Sequence, residues 1–121
     1  MMQHIGVDII EIERVAEAIE RWGERFLRRV FTPAELAAYR GHTPSLAARF
    51  AAKEAVVKAL GKTGGITWHD IEILAAADGQ PGVTLHGRAR KLADELGLAG
   101  LAISLSHSRD YAVAVVLGER S

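Results

Sequence analysis

Residues 46–65 read LAARFAAKEAVVKALGKTGG, a helical pattern that runs directly into a glycine-rich segment. Four large apolar residues in it, spaced by four, seven and three positions, fall on one face of an α-helix: Leu46, Phe50, Val57 and Leu60. We expect that face to pack into the core. The rest of the chain is therefore expected to be arranged around this central helix.

Charged side chains accompany the apolar face of the central helix. Lys53 lies near the middle of the face, and Glu54 and Lys58 are one turn apart on its flank. Carboxylates suit hard cations and ammonium groups suit phosphate, so these residues, followed by Gly61 and Gly64, fit a site for a metal and a phosphate chain. The alternative is an exposed i,i+4 ion pair that contributes about 0.3–0.5 kcal/mol, and for the pair alone this is the commoner arrangement.

The composition excludes several classes of protein. Among the 121 residues, fifteen basic and fifteen acidic side chains cancel, which argues against a general nucleic-acid-binding surface. The absence of cysteine excludes disulfides, thiolate metal ligands and a cysteine nucleophile. No run of 18 apolar residues and no secretion signal are present. We therefore expect one domain, residues 1–121, in the cytoplasm and without a membrane segment.

The first strand of the chain is expected to carry an acidic side chain. The β-branched run from His4 to Ile10 indicates a strand, on which Asp8 shares a face with Gly6. The sequence leaves three interpretations of Asp8 open: an edge-strand aspartate in water, a cap for the next helix, or a functional carboxylate that needs a partner.

Helices and strands are predicted along the rest of the chain. Helical periodicity or start signals mark residues 11–22, 32–39, 43–61 and 87–96. At two of these starts, Thr32-Pro33 and Thr43-Pro44, an N-cap threonine precedes a proline, and at the first of them Glu35, three residues after the cap, completes a capping-box pattern. Strand patterns mark residues 71–74, 83–86, 101–107 and 111–117, with turns at 78–82 and 108–110.

Three familiar catalytic motifs are incomplete. The triplet at 61–63 resembles the end of a Walker loop, but Val56 stands where a glycine is needed and the triplet follows its helix instead of preceding it. Ser106 suggests a serine hydrolase, yet no G-x-S-x-G motif exists, and the adjacent His107 points to the opposite face of a strand. The five histidines form no H-E-x-x-H motif, which argues against a zinc enzyme.

A set of polar residues on separate elements remains. It comprises Asp8, Arg49, Lys53, Glu54, Lys58, the glycine loop and His107. Their spacing is compatible with a site around a magnesium-bound phosphate and equally with scattered surface residues.

Four segments of the chain resemble a known family. They are IGVDIIEIERV (5–15), FTPAEL (31–36), ARFAAKEAVVKALG (48–61) and ISLSHSRDYAVAVV (103–116). In this order they resemble the holo-acyl-carrier-protein synthases, the short bacterial-type members of the 4′-phosphopantetheinyl transferase family. The resemblance implies an α+β fold in which a mostly antiparallel sheet packs with a long central helix. It also implies transfer of 4′-phosphopantetheine from coenzyme A to a serine of apo-acyl carrier protein. The alternative is a non-catalytic carrier-protein or nucleotide binding module of the same fold.

The resemblance also implies roles for individual residues. Asp8 and Glu54 would bind Mg²⁺ and, with Lys58, form the catalytic group, in which Lys58 neutralises the pyrophosphate. Arg49 and His107 would contact the nucleotide or its 3′-phosphate. The other implied positions are Gly61 and Gly64 for coenzyme A, and Arg14, Arg21 and Arg25 for docking the acidic carrier protein.

Two further features come from the same resemblance. The family forms homotrimers with the site between neighbouring subunits, so this chain is expected to be a homotrimer. The segment at 61–71 is shorter than in many members and contains Lys62 within its glycine stretch.

Overall fold

The computed structural model describes residues 3–61 and 64–120. The elements, in chain order, are β1 (Gln3–Glu11), α1 (Ile12–Trp22), α2 (Glu24–Val30), α3 (Pro33–Tyr39), α4 (Thr43–Leu60), β2 (Ile71–Ala75), β3 (Pro81–Leu85), α5 (Gly87–Glu95), β4 (Leu98–His107) and β5 (Tyr111–Arg120). A short 3-10 turn, Trp68–Asp70, precedes β2. Among the helices in these ranges, none has the length and apolar character needed to cross a membrane.

The strands form an antiparallel sheet and a separate hairpin. The sheet has the order β1-β5-β4, and β2 pairs only with β3 in the described chain. Asp8 on β1 lies opposite Ala114 on β5, which in turn lies opposite Leu105 on β4. Since α4 packs across the sheet, the expected α+β fold is confirmed.

The closest approach between β1 and α4 occurs at Gly6. A Cβ atom placed on Gly6 would lie 1.8 Å from the carbonyl oxygen of Ala55 and 2.9 Å from the amide nitrogen of Ala59. Because Gly6 has no side chain, the strand lies directly on the helix backbone. This contact sets the distance between the side chains that flank it, which include Asp8 and Glu54.

The predicted apolar face of α4 packs into the core. Leu46 and Leu60 are buried, and Phe50 and Val57 are partly buried against core clusters. Burial extends well beyond this face, because a sheet covers one side of the helix and other helices cover another, and its many alanines allow neighbouring elements to approach. The expected threonine cap is wrong, because the N-cap residue is His42, without a side-chain cap hydrogen bond.

The start of α3 confirms its prediction. The hydroxyl of Thr32 accepts a hydrogen bond from the Glu35 amide at 3.2 Å, and Glu35 Oε1 accepts one from the Thr32 amide at 2.8 Å. The helix before it, α2, has no counterpart among the predicted elements.

Candidate active site

Asp8, Glu54 and Lys58 come together where β1 crosses α4. Lys58 Nζ lies 2.9 Å from Asp8 Oδ1 and donates a second hydrogen bond to the carbonyl oxygen of Val7 at 3.0 Å. Lys58 therefore connects α4 to β1, and its ion pair is with Asp8. Among the three interpretations of Asp8, the structure favours the carboxylate with a partner.

The surroundings of Glu54 disfavour its negative charge. Burial raises the pKa of the Glu54 carboxyl above its ordinary value, and the nearby negative charge of Asp8 raises it further, while Lys58 acts in the opposite direction. A carboxylate whose charge is disfavoured in this way, beside a second carboxylate, creates a place where a cation is favoured. A bound divalent ion would relieve this repulsion.

The donor set fits Mg²⁺ rather than a metal held entirely by protein. Within the described residues, no group of three or more His, Cys, Asp or Glu side chains is placed to hold a metal ion. Mg²⁺ commonly takes only one or two carboxylates and fills its other positions with water and substrate phosphates. Asp8 and Glu54 are two carboxylates, the number that such a site would need.

A cleft of about 700 Å³ opens beside Glu54. Glu54 and Val57 line it from α4, Arg28 and Arg29 from α2, and residues 66–69 from the segment before β2. The Nε2 atom of His69 donates to the carbonyl oxygen of Arg28 at 2.6 Å, which joins the two opposite walls. The sequence predicted no role for this segment, because it has neither helical nor strand periodicity.

Arg49 lies apart from the two carboxylates. Its guanidinium stacks on the ring of Tyr39 at 3.7 Å and donates to the Tyr39 hydroxyl at 2.7 Å and the Ser45 carbonyl at 3.4 Å. The side chain is buried, with a residue exposure of 8%, and its Nε atom has no partner within the described chain. A role in nucleotide binding stays a prediction.

The other predicted substrate contacts lie at the ends of elements. His107 is exposed at the end of β4, and the strand register places it on the same sheet face as Asp8, two residue pairs further along. Gly61 ends α4 with a φ of +77°, and the carbonyl of Gly64 accepts a weak hydrogen bond from Arg88 Nε at 3.4 Å. The intervening positions 62 and 63 lie outside the described residues, so the predicted loop contacts are not tested.

Lys53 differs from the sequence interpretation. The pattern suggested that both lysines of the helix could meet a phosphate, but the Lys53 side chain is 0% exposed and pairs with Glu35 Oε1 at 2.8 Å. Phosphate binding by Lys53 is therefore wrong. The capping-box signal located Glu35 but gave no indication of this partner.

A basic surface with an aromatic centre lies where α1 meets α2. The three arginines predicted to dock the carrier protein, Arg14, Arg21 and Arg25, are all exposed. The guanidinium carbons of Arg21 and Arg25 lie 5.1 and 5.9 Å from the ring centroid of Trp22, which is 50% exposed. Trp22 was not singled out in the sequence, although an exposed tryptophan between arginines is typical of interfaces.

The match to a family model gives the class of protein. The family model described as the 4′-phosphopantetheinyl transferase superfamily matches residues 4–116, and the chain belongs to this family.

Particular relatives narrow the class to one group. The chain is 52% identical over 118 residues to the holo-[acyl-carrier-protein] synthase of Dehalococcoides mccartyi strain CBDB1, covering 98% of this chain and 99% of the relative. It is 55% identical over 124 residues to that of Moorella thermoacetica, with 99% and 96% covered. The crystal structure of the Helicobacter pylori holo-[acyl-carrier-protein] synthase in complex with coenzyme A superposes with a TM-score of 0.86 at 32% identity, covering 95% of this chain and 99% of that one.

Proposed function

We propose that this protein transfers the 4′-phosphopantetheine group of coenzyme A to a serine of apo-acyl carrier protein and releases adenosine 3′,5′-bisphosphate. The observation that carries the proposal is the meeting of Asp8 and Glu54 across β1 and α4, beside Lys58 and an open cleft. Relatives that cover nearly the whole chain and are named for this reaction support it. We expect the reaction to take place in the cytoplasm.

Asp8 and Glu54 are proposed to hold Mg²⁺, which would supply charge neutralisation for the pyrophosphate. The serine oxygen would attack the β-phosphorus and lose its proton to Glu54 or to a water in the site, and the bond from that phosphorus to the oxygen of the nucleotide part would break. The Lys58 side chain is 54% exposed, so its ammonium has room to turn from Asp8 to the phosphates. The residues of this chain would then act mainly by positioning and by offsetting negative charge.

A mass-shift assay tests the proposed function. The protein is incubated with apo-acyl carrier protein, coenzyme A and Mg²⁺, and the carrier is weighed by mass spectrometry. We expect a mass gain equal to one phosphopantetheine arm, abolished by a chelator and restored by added Mg²⁺. Binding of coenzyme A without any mass gain would instead favour the non-catalytic binding module.

Replacement of Lys58 should separate metal binding from catalysis. Lys58→Gln removes the cation that occupies Asp8 in the free protein, so Mn²⁺ should bind the free variant about 3- to 10-fold more tightly in calorimetric titration. Transfer should fall at the same time, because the pyrophosphate loses its neutralising charge. Weaker Mn²⁺ binding by the variant would show that Lys58 does not compete for Asp8.

The outer face of the sheet supports the proposal of a homotrimer. Ile5, Val7 and Ile9 on β1 are 62%, 52% and 62% exposed, and their partners in the register are Leu117, Val115 and Val113. An uncharged apolar surface of this kind marks an interface. A second copy of the same chain, which presents the same apolar face, suits it better than an acidic carrier protein.

The trimer proposal predicts the behaviour of a charged variant. Val7→Lys places an ammonium in the centre of the apolar face and should convert the trimer to a monomer in sedimentation velocity. Thr84→Lys on β3, which is also exposed, serves as the control and should remain trimeric. A wild-type protein that sediments as a monomer would contradict the proposal.

The basic surface on α1 and α2 is proposed to dock the acidic carrier protein. Reversal of two charges in Arg21→Glu/Arg25→Glu should raise KM for the carrier about 10-fold or more and weaken its dependence on salt, with KM for coenzyme A unchanged. The control is Arg90→Glu on α5, whose side chain is 65% exposed. An equal rise in KM for both substrates would argue against a docking role.

A further inference from the structure

Lys53 and Glu35 form an ion pair inside the core that the proposed chemistry does not use. Both side chains are 0% exposed, with Lys53 Nζ 2.8 Å from Glu35 Oε1. The ammonium also donates to the backbone carbonyls of Trp68, at 3.0 Å, and of Ile71. An ammonium has three N–H groups, so each of them has an acceptor.

The carboxylate of Glu35 is bound equally completely. Its Oε1 atom accepts the Thr32 amide at 2.8 Å, and its Oε2 atom accepts the Ile73 amide at 2.8 Å. The pair therefore connects α4 to the start of α3, to the turn before β2 and to β2 itself. Four backbone groups on three segments are held by two side chains.

Stability alone gives little reason for such a pair. The loss of hydration on burial largely offsets the attraction between the charges, and apolar residues of similar volume are often at least as stabilising. Burial accordingly lowers the pKa of Lys53, and the charge of Glu35 acts against that shift. Apolar residues cannot form hydrogen bonds to the four backbone groups, so they cannot hold those groups in place as the ion pair does.

The backbone groups held by Lys53 belong to a wall of the cleft. Residues 66–69 and Ile71 line the cleft opposite α2, and Glu54 lines it from α4. Lys53 directly precedes Glu54 in that helix. The same turn of α4 thus supplies the proposed metal ligand and the anchor of the facing wall.

We propose that Lys53 and Glu35 are positioning residues for the transfer. By holding residues 66–71 against α4, they set the distance between the cleft wall and the Glu54 carboxylate. The inference rests on the proposed function, and it assigns neither residue a contact with substrate. A shift of about 1 Å in such a wall can reduce a rate about 100-fold.

The test replaces the pair with apolar residues of similar size, Lys53→Met/Glu35→Met. We expect a folded protein in which amide hydrogen exchange at residues 66–73 is at least about 10-fold faster, because the anchoring hydrogen bonds are lost. The kcat should fall about 10- to 100-fold. The KM for coenzyme A should change less than about 3-fold, since Asp8, Glu54 and Lys58 are retained.

A second variant and a control keep the result interpretable. Glu35→Gln retains an oxygen acceptor for Lys53, so its kcat should also fall, but by a smaller factor than in the double variant. It replaces the double variant in the test if that protein does not fold. Leu92→Val, buried in α5 and absent from the cleft lining, removes a methylene group from the core away from the cleft and should retain kcat. Wild-type kcat in a folded pair variant, or an equal loss of kcat in Leu92→Val, would overturn the proposal.

If the wild-type protein itself shows no transfer, the proposed function fails. Hydrogen exchange then decides whether Lys53 and Glu35 hold residues 66–73 in place, and unchanged exchange rates in the pair variant would overturn the proposal.

Discussion

Glu54→Gln should reduce the transfer rate about 100-fold or more while the protein remains folded. The substitution keeps the shape of the side chain and removes the charge that is proposed to bind Mg²⁺. Loss of a single preorganised charge-stabilising group in an active site typically costs about 100- to 1,000-fold in rate. The measurement is kcat in the mass-shift assay, with Mn²⁺ affinity determined in parallel by calorimetry.

The same variant should be at least as stable as the wild type. Because the pKa of Glu54 is raised above its ordinary value of 4.5 in the folded protein, its ionised form opposes folding. The wild type therefore loses stability as the pH rises through the interval between the unfolded and folded pKa values, whereas the glutamine variant does not. The stability gained by Glu54→Gln over the wild type should be complete above that interval and absent below pH 4.5.

Glu95→Gln on α5 is the matched control for Glu54→Gln. Its side chain is 53% exposed and pairs weakly with Arg88 at 3.8 Å, so both activity and stability should stay close to wild type. Full transfer activity in Glu54→Gln would exclude a metal-binding role for Glu54. A large loss of stability in Glu54→Gln would contradict the conclusion that the ionised Glu54 carboxylate opposes folding.

Gly6→Ala should destabilise the protein by about 3 kcal/mol or more, at or beyond the upper end of the usual cost of overpacking. The new methyl group would lie 1.8 Å from the carbonyl oxygen of Ala55, a backbone atom that cannot turn aside. Strand β1 must then move away from α4, and the Asp8 carboxylate moves with it. We therefore expect a lower midpoint in urea unfolding together with weaker Mn²⁺ binding.

Gly100→Ala on β4 separates this effect from the general cost of adding a methyl group to a strand. A Cβ atom at Gly100 meets nothing within 4 Å, so its unfolding midpoint should lie close to that of the wild type. If Gly6→Ala unfolded at the same urea concentration as Gly100→Ala, the close contact between β1 and α4 would be refuted.

The sequence predicted most of the helices and strands because their periodicity and end signals are local. The β1 strand, the α3 capping box and the hairpin between β4 and β5 all agree with their patterns. Asp8 and Glu54 were identified as candidates through their residue types and the family resemblance. Their convergence was not derivable from spacing, because it depends on the packing of β1 against α4 at Gly6.

Features that depend on distant partners were missed. Glu35 was recognised as a capping residue, yet its partner Lys53 lies on another helix and was interpreted as part of an apolar face. Residues 66–69 have no periodicity, so their place in the cleft wall follows only from contacts with other elements, which include the hydrogen bonds of Trp68 to Lys53 and of His69 to Arg28. Pairwise contacts of this kind leave no regular pattern in the chain.

The most direct test of the shared metal site is a crystal structure with coenzyme A and Mn²⁺ in place of Mg²⁺. Anomalous scattering locates Mn²⁺ independently of the protein atoms. We expect one ion within about 2.2 Å of carboxylate oxygens from both Asp8 and Glu54 and in contact with the pyrophosphate. An ion bound elsewhere, or bound by only one of these carboxylates, would contradict the proposed site.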